Sequence, residues 1–280
     1  MKNNNQYDNN MKSNIVYLLI ALVLVSCSGS NGPSVKQRRA EQLEKFRSQL
    51  QTERQTLKAT DSLMMALIPQ INTAKSKGFE YEKTQYDDLG RFRPEGMDPS
   101  QNLNKSYVRC AVDEYGRTQL IATYCGPKNF VVHQIRINAS DGTEITTKTI
   151  EPNDGTNYSY DIGGTHYQAV TFTYAGKVTE GMSNDSIVLA NADTDNGALG
   201  FIAQHVDDKN LKANYISIDG KELMVNIGPK TRARMAATYE LGILLRENTR
   251  LQQENKTAGL KIQYLEQMIL RKEIEEAEGN

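Results

Sequence analysis

With 280 residues, 24% of them charged and a formal net charge of -1, the chain has room for one ample core or two smaller ones. It carries no global field of the kind that draws proteins to nucleic acid. Trp is absent while Tyr occurs 14 times, which weakens the commonest case for a sugar-binding aromatic platform and leaves tyrosine platforms open; nothing in the composition implies a cofactor.

Ile15 to Val25 is an unbroken apolar run of eleven residues, preceded by Lys12 and followed by Ser26 and Cys27. A bilayer needs about 20 such residues, so the run reads as the apolar region of a signal peptide. The ten residues before Met11 are polar and low in complexity, whereas Met11 opens a compact basic start, which makes it a second candidate for the first residue. Leu24-Val25-Ser26-Cys27 resembles the lipobox of bacterial lipoproteins. The resemblance covers residues 11–27 and implies a signal peptide over 1–26, cleavage before Cys27, and acylation of the Cys27 thiol. An ordinary signal peptide with Cys27 free or disulfide-bonded is the alternative, although such peptides usually end in an A-x-A-like site. Several acyl chains hold a protein stably on a membrane, as one chain does not. Ser28, where some lipoproteins carry Asp, implies by the same resemblance the outer membrane of a Gram-negative cell. Residues 27–35 read as a flexible tether rich in Gly and Ser, without the acidic cluster of some surface-exported lipoproteins, which favours the periplasmic face.

Residues 36–78 form the predicted N-terminal helix. Alternating steps of three and four from Leu43 select Phe46, Leu50, Glu53, Leu57, Thr60, Met64, Leu67 and Ile71; seven of these nine positions are apolar, as in a coiled-coil seam. Pro69 is expected to kink or end this helix, because it has no N–H and its ring crowds the preceding turn. Gly78 is a suitable final stop.

From 79 to 228 the period changes to two, with turn residues between short runs. Asp219-Gly220 predicts a two-residue hairpin turn that sets Ile216 opposite Leu223, on the same face as Ile218 and Val225. Asp141-Gly142 predicts a second turn, and "DEYG" at 113–116 a third, with Val112 facing Arg117 and Cys110 facing Gln119. The segment 90–106 reads as loop from its Pro, Gly and Asn content, and "GALGFIAQHV" as a short helix or a buried strand. The expected class is α+β: an antiparallel β-sandwich or partly open barrel, flanked by N- and C-terminal coiled-coil helices.

The C-terminal helix is predicted over 229–277. Its seam runs through Ala237, Leu241, Leu244, Asn248, Leu251, Asn255, Ala258, Ile262, Leu265 and Ile269. Both interruptions are Asn at one heptad position, a device that specifies pairing at some cost in stability. This resembles a leucine zipper as a packing motif only, since no strongly basic segment accompanies it. Two arrangements follow: a parallel homodimer in which each Asn meets its symmetry mate, and an intramolecular hairpin along the 43–71 seam. The repeated Asn favours the dimer.

Residues suited to chemistry are few. Asn191, Asp193 and Asp195 resemble the start of a calcium loop, but Asn196 replaces its Gly and Ile202 its bidentate Glu, so a turn is the better reading. His133 shares a strand face with Val131, Ile135 and Ile137, His166 one with Val170 and Phe172, and His205 stands alone; no pair has zinc-motif spacing. Cys110 and Cys125 lie about 20 Å apart along the hairpin, too far for a disulfide, and read as small buried hydrophobes. No catalytic, cofactor or metal motif emerges. Beyond the lipobox, the arrangement resembles uncharacterised coiled-coil lipoproteins of Gram-negative bacteria. The expectation is therefore a non-enzymatic envelope lipoprotein, lipidated at Cys27, with a structural or protein-interaction role and no nucleic-acid partner. The alternative is a tethered small-ligand or glycan-binding β-domain, or a hydrolase.

Overall fold

The computed structural model describes residues 35–83, 89–97, 105–126, 130–150, 156–162, 164–176 and 193–278. The signal-peptide segment, Cys27, the tether before Val35 and Asn191 lie outside these residues. The described residues fall into two compact units, one within 50–264 and a smaller one of 35–49 with 265–278.

In chain order the elements are α1 (Val35–Lys75), β1 (Phe79–Glu82), β2 (Arg91–Pro94), β3 (Tyr107–Asp113), β4 (Thr118–Gly126), β5 (Val132–Asn138) and β6 (Glu144–Thr146). There follow β7 (Thr156–Ile162), β8 (Thr165–Ala175), α2 (Ala198–Gln204), β9 (Lys212–Ser217), β10 (Glu222–Asn226) and α3 (Pro229–Glu278). The class is α+β, with two antiparallel sheets ordered β1-β2-β3-β4-β8-β7 and β10-β9-β5-β6, neither closed into a barrel among the described residues. Their apolar faces share one core. Leu120, Phe172 and Tyr174 of the first sheet, Ile135, Ile137 and Tyr215 of the second, and Leu199 and Ile202 of α2 are fully buried in it. The Tyr215 hydroxyl donates to the Tyr107 carbonyl at 2.5 Å, so its burial between the sheets leaves no unmet donor.

Two hairpins depart from the expected register in the same way, and the one at Asp141-Gly142 has the same loop. Ile216 stands opposite Glu222, not Leu223, and Cys110 stands opposite Leu120, not Gln119. Each loop has three residues instead of two. Gly116, Gly142 and Gly220 close four-residue turns by donating to the carbonyls of Asp113, Ala139 and Ser217, and each occupies positive φ (83°, 87° and 76°). A turn followed by a left-handed residue takes up one more position than the two-residue turn that Asp-Gly suggests. One step of register reverses faces, which is why Ile218 is 54% exposed in the loop while Tyr215 and Val225 face the core.

Two further expectations are corrected. The segment 90–106 contains a strand: Arg91–Pro94 pairs with both β1 and β3, and Phe92 is buried while its arginine neighbours are not. A single apolar residue between arginines is too short a pattern to stand out from loop. Helix α1 also does not end at Pro69, the second of the two outcomes expected there, but continues through it to Lys75. The proline is exposed, and Leu67, Ile71 and Ala74 on either side of it are buried, so packing offsets the roughly 3 kcal/mol that an interior proline costs.

Within the Leu50–Tyr264 unit, α1 and α3 pack antiparallel. Asn255 Nδ2 donates to Asp61 Oδ1 at 2.7 Å and Thr60 Oγ1 at 3.0 Å, and Lys261 Nζ pairs with Glu53 at 2.9 Å, so the partner positions on α1 fall as those on α3 rise. The polar seam residues Thr60 and Asn255 thus meet across the two helices, while Glu53 meets Lys261, next to the seam residue Ile262. Leu67, Ile71, Leu241, Leu245 and Leu251 form a second core with Phe92 and Val112 of the first sheet. Within the smaller unit, Arg47 pairs with Glu273 at 3.0 Å, and Leu43 and Leu265 are buried.

The β3–β4 turn is seated directly on α3. A Cβ built on Gly116 would stand 2.4 Å from both the Arg246 nitrogen and the Gly242 carbonyl oxygen, and one on Gly242 would stand 2.8 Å from Thr118 Cγ2. Arg246 Nη1 donates to the Gly116 carbonyl at 3.1 Å. Gly142 has the same positive φ but open space around it. Gly116→Ala is therefore expected to lower unfolding free energy by about 3 kcal/mol through backbone strain and overpacking together, and Gly142→Ala by about 1 kcal/mol through strain alone. Urea denaturation of the two variants checks this; equal losses would show that the helix does not bear on the turn.

Candidate functional site

The histidines named from sequence do not converge. His133 falls at a β-bulge, between Val132 and Gln134, and its Nδ1 lies 3.0 Å from the Ile150 carbonyl oxygen. The bulge lets Val132 and Ile135 both bury, which takes His133 out of the simple alternation expected for it. His166 lies on β8 opposite Asp161. His205 ends α2, a helix rather than a buried strand, and lies with the 140–142 loop.

That last contact is more polar than the one His133 makes. His205 Nδ1 is 2.9 Å from the Phe201 carbonyl oxygen, while Nε2 is 3.4 Å from Thr143 Oγ1 and 3.6 Å from Asp141 Oδ2. The Thr143 hydroxyl donates to Asp141 at 2.6 Å, and this bond, with the Thr143 N–H, holds the Asp141 carboxyl below its ordinary range. Asp208 accepts the N–H groups of Ser140 and Asn210 and is held low for that reason. A hydroxyl that gives its proton to a carboxylate, beside an imidazole anchored on a backbone carbonyl, is not set up as a base-activated nucleophile. The group clamps the loop to the end of α2.

Asp193 and Asp195 belong to a turn at 193–197. Lys148 Nζ pairs with Asp193 at 2.9 Å, and Asp195 Oδ1 accepts the Gly197 N–H at 3.1 Å. Asp193 and Asn196 take positive φ (60° and 50°), which Asp and Asn tolerate better than most residues. No group of three or more metal-ligating side chains occurs among the described residues.

Both described cysteines are free and buried. Cys110 Sγ lies 3.2 Å from Thr238 Oγ1 on α3, and burial pushes its thiol up to about 12, far from the thiolate that reactivity needs. Opposite Leu120, it stands five residues along β4 from Cys125, or about 17 Å, so the corrected register still keeps the two apart. Thr238 was not among the residues singled out from sequence. It follows the seam residue Ala237, and only the fold shows that it turns toward the sheet.

A cleft of about 630 Å³ opens where β9, β10 and the start of α3 meet, lined by Lys209, Lys212, Asn226, Pro229 and Arg232 among others. Arg232 is committed to its wall, donating to the Ile227 and Val206 carbonyls at 2.7 and 2.9 Å. None of His133, Asp193 or Asp195 lines it. Comparison with family models, curated proteins and solved structures finds no match to the chain.

Asp195 supplies a test of this turn as structure. Burial raises its pKa above the ordinary 3.8, so its contribution to stability is full below 3.8 and is lost as pH rises through the higher folded value. Asp195→Asn keeps an acceptor for Gly197 and removes the charge. Its melting temperature relative to wild type is expected to increase from pH 3.5 to pH 7; a fall over that range would mean that the carboxylate form is the one the turn needs.

Proposed function

We propose that the protein is a lipid-anchored envelope lipoprotein with a structural or protein-interaction role and no catalytic turnover. What carries the reading is Cys27, directly behind an eleven-residue apolar run and Ser26, and followed by a short Gly- and Ser-rich stretch before α1 begins. The Ser at 28 favours the outer membrane, and the absence of an acidic cluster in 28–34 favours the periplasmic face. No helix among the described residues is long and apolar enough to cross a membrane. The histidines whose side chains are described, and Cys110, hold structural contacts, which supports binding over turnover. On this reading the two sheets form a β-sandwich, and α1 and α3 a coiled coil.

If Cys27 is the acylated residue, metabolic labelling with a fatty acid in a Gram-negative host should mark the wild type and leave Cys27→Ser unmarked and released from the membrane fraction. Equal labelling of the two would sink the anchor.

The Asn255 amide meets Thr60 and Asp61 of its own chain, which favours the intramolecular hairpin over a parallel dimer in which Asn255 faces its symmetry mate. The detergent-solubilised protein is expected to sediment as a monomer with full helicity over a hundredfold range of concentration. A reversible dimer whose helicity rises with association would move the pairing to a second copy.

A further inference from the structure

The outer face of the first sheet carries three arginines on two neighbouring strands. Pairing of Phe92 with Val112 sets Arg91 and Arg93 of β2 on the same face as Arg109 and Ala111 of β3. The edge strand β1 supplies two carboxylates to this group: Glu80 pairs with Arg93 at 2.9 Å, and Glu82 with Arg91 at 3.6 Å. Arg109 has no hydrogen-bond or ion-pair partner among the described residues, and its Nε is buried. Two more buried polar atoms without a partner lie next to it, Arg93 Nε and Gln119 Oε1, the latter on the residue of β4 opposite Ala111. Burial pulls the Arg109 guanidinium below its ordinary pKa, against the opposing pull of Tyr107, with Arg93 and Arg91 adding to the fall and Glu82 opposing it.

Such a side chain is costly to the isolated protein. A half-buried cation with no direct ion pair or hydrogen bond weakens the fold relative to an apolar residue of the same volume. The cost is recovered only when an anion is present, and a planar guanidinium matches a carboxylate better than any other side chain does. The clefts of about 630 and 460 Å³ are lined by other residues. A free small anion would gain little there beyond the one contact, whereas a carboxylate borne on a protein brings the rest of its surface with it.

We propose that Arg109, flanked by Arg91 and Arg93, is the anchor by which the outer face of β2–β4 docks an acidic segment of a partner protein. This rests on the reading of the protein as an interaction module and names the partner's chemistry; it is independent of the anchor at Cys27, whose labelling test can fail while this one succeeds.

The probe is a fluorescent hexaglutamate peptide, titrated at low salt against the detergent-solubilised protein and followed by anisotropy. Arg109→Met is expected to weaken binding about tenfold while leaving the melting temperature unchanged or higher, since it removes a fork of charged hydrogen bonds from the complex and an unpaired cation from the free protein. Arg109→Lys, which keeps the charge without the fork, should retain part of the affinity, and Lys209→Gln, on the basic cleft, should retain all of it. The proposal is overturned if wild type does not bind the peptide, if Arg109→Met binds it as well as wild type, or if that variant melts several degrees lower, which would make Arg109 a structural residue. Displacement of the peptide by an equal concentration of inorganic phosphate would also overturn it, in favour of a small-anion site.

Discussion

The approach of two backbones, at Gly116 and Gly242, is the constraint on which the larger unit depends. No side chain separates the β3–β4 turn from α3 there, and the turn can come so close only because one glycine supplies positive φ and the other a bare helix surface. The contact sets how α3 lies on the sheet, and everything on that helix face follows. Thr238 reaches Cys110, Arg246 reaches the turn carbonyl, and Leu241 and Leu245 fall over Val112 and Phe92. The same placement brings α3 alongside α1, whose Leu67 and Ile71 complete that second core. Asp113 steadies the turn from within: it accepts the N–H groups of Tyr115 and Arg117 and the Arg117 guanidinium at 3.0 Å.

Much of this was legible in the residues. The seam of each helix is a strong signal because it repeats over many turns, and two of its polar exceptions proved to be informative: Thr60 and Asn255 find one another across α1 and α3, while Glu53 takes Lys261, beside the seam. The existence of each hairpin was equally legible from its Gly. Its register was not, because Asp-Gly fits both a two-residue turn and the end of a three-residue loop, and the choice depends on backbone geometry that a single sequence does not display. β7 escaped notice because its alternating residues, Asn157 to Ile162, are mostly polar or hydroxylated. The bulge at His133 was hidden for a related reason, since an inserted residue breaks the alternation it would have to be read from.

The site residues divide along the same line. Chemical type alone drew attention to histidines, cysteines and the Asp-rich turn, and the fold spends those it describes on carbonyls, N–H groups and burial. Arg109 attracted no attention, because an arginine on a strand of alternating residues is ordinary until its neighbours are known. Only strand order places Arg91 and Arg93 beside it and leaves the carboxylates of β1 on the far side of them.

The pairing of Asn255 with Thr60 spans 195 positions, which bears on the order in which the molecule is assembled. Closing so long a loop in an unfolded chain costs several kcal/mol of entropy, and the β-strands between are what shorten the distance. A chain that emerges from its N-terminus first releases α1 with its apolar seam bare, and the complementary residues arrive only near the end of synthesis. Through that interval α1 is a helix without a partner, exposed to aggregation or to any chaperone that recognises a leucine stripe, and its maturation waits on the last quarter of the polypeptide.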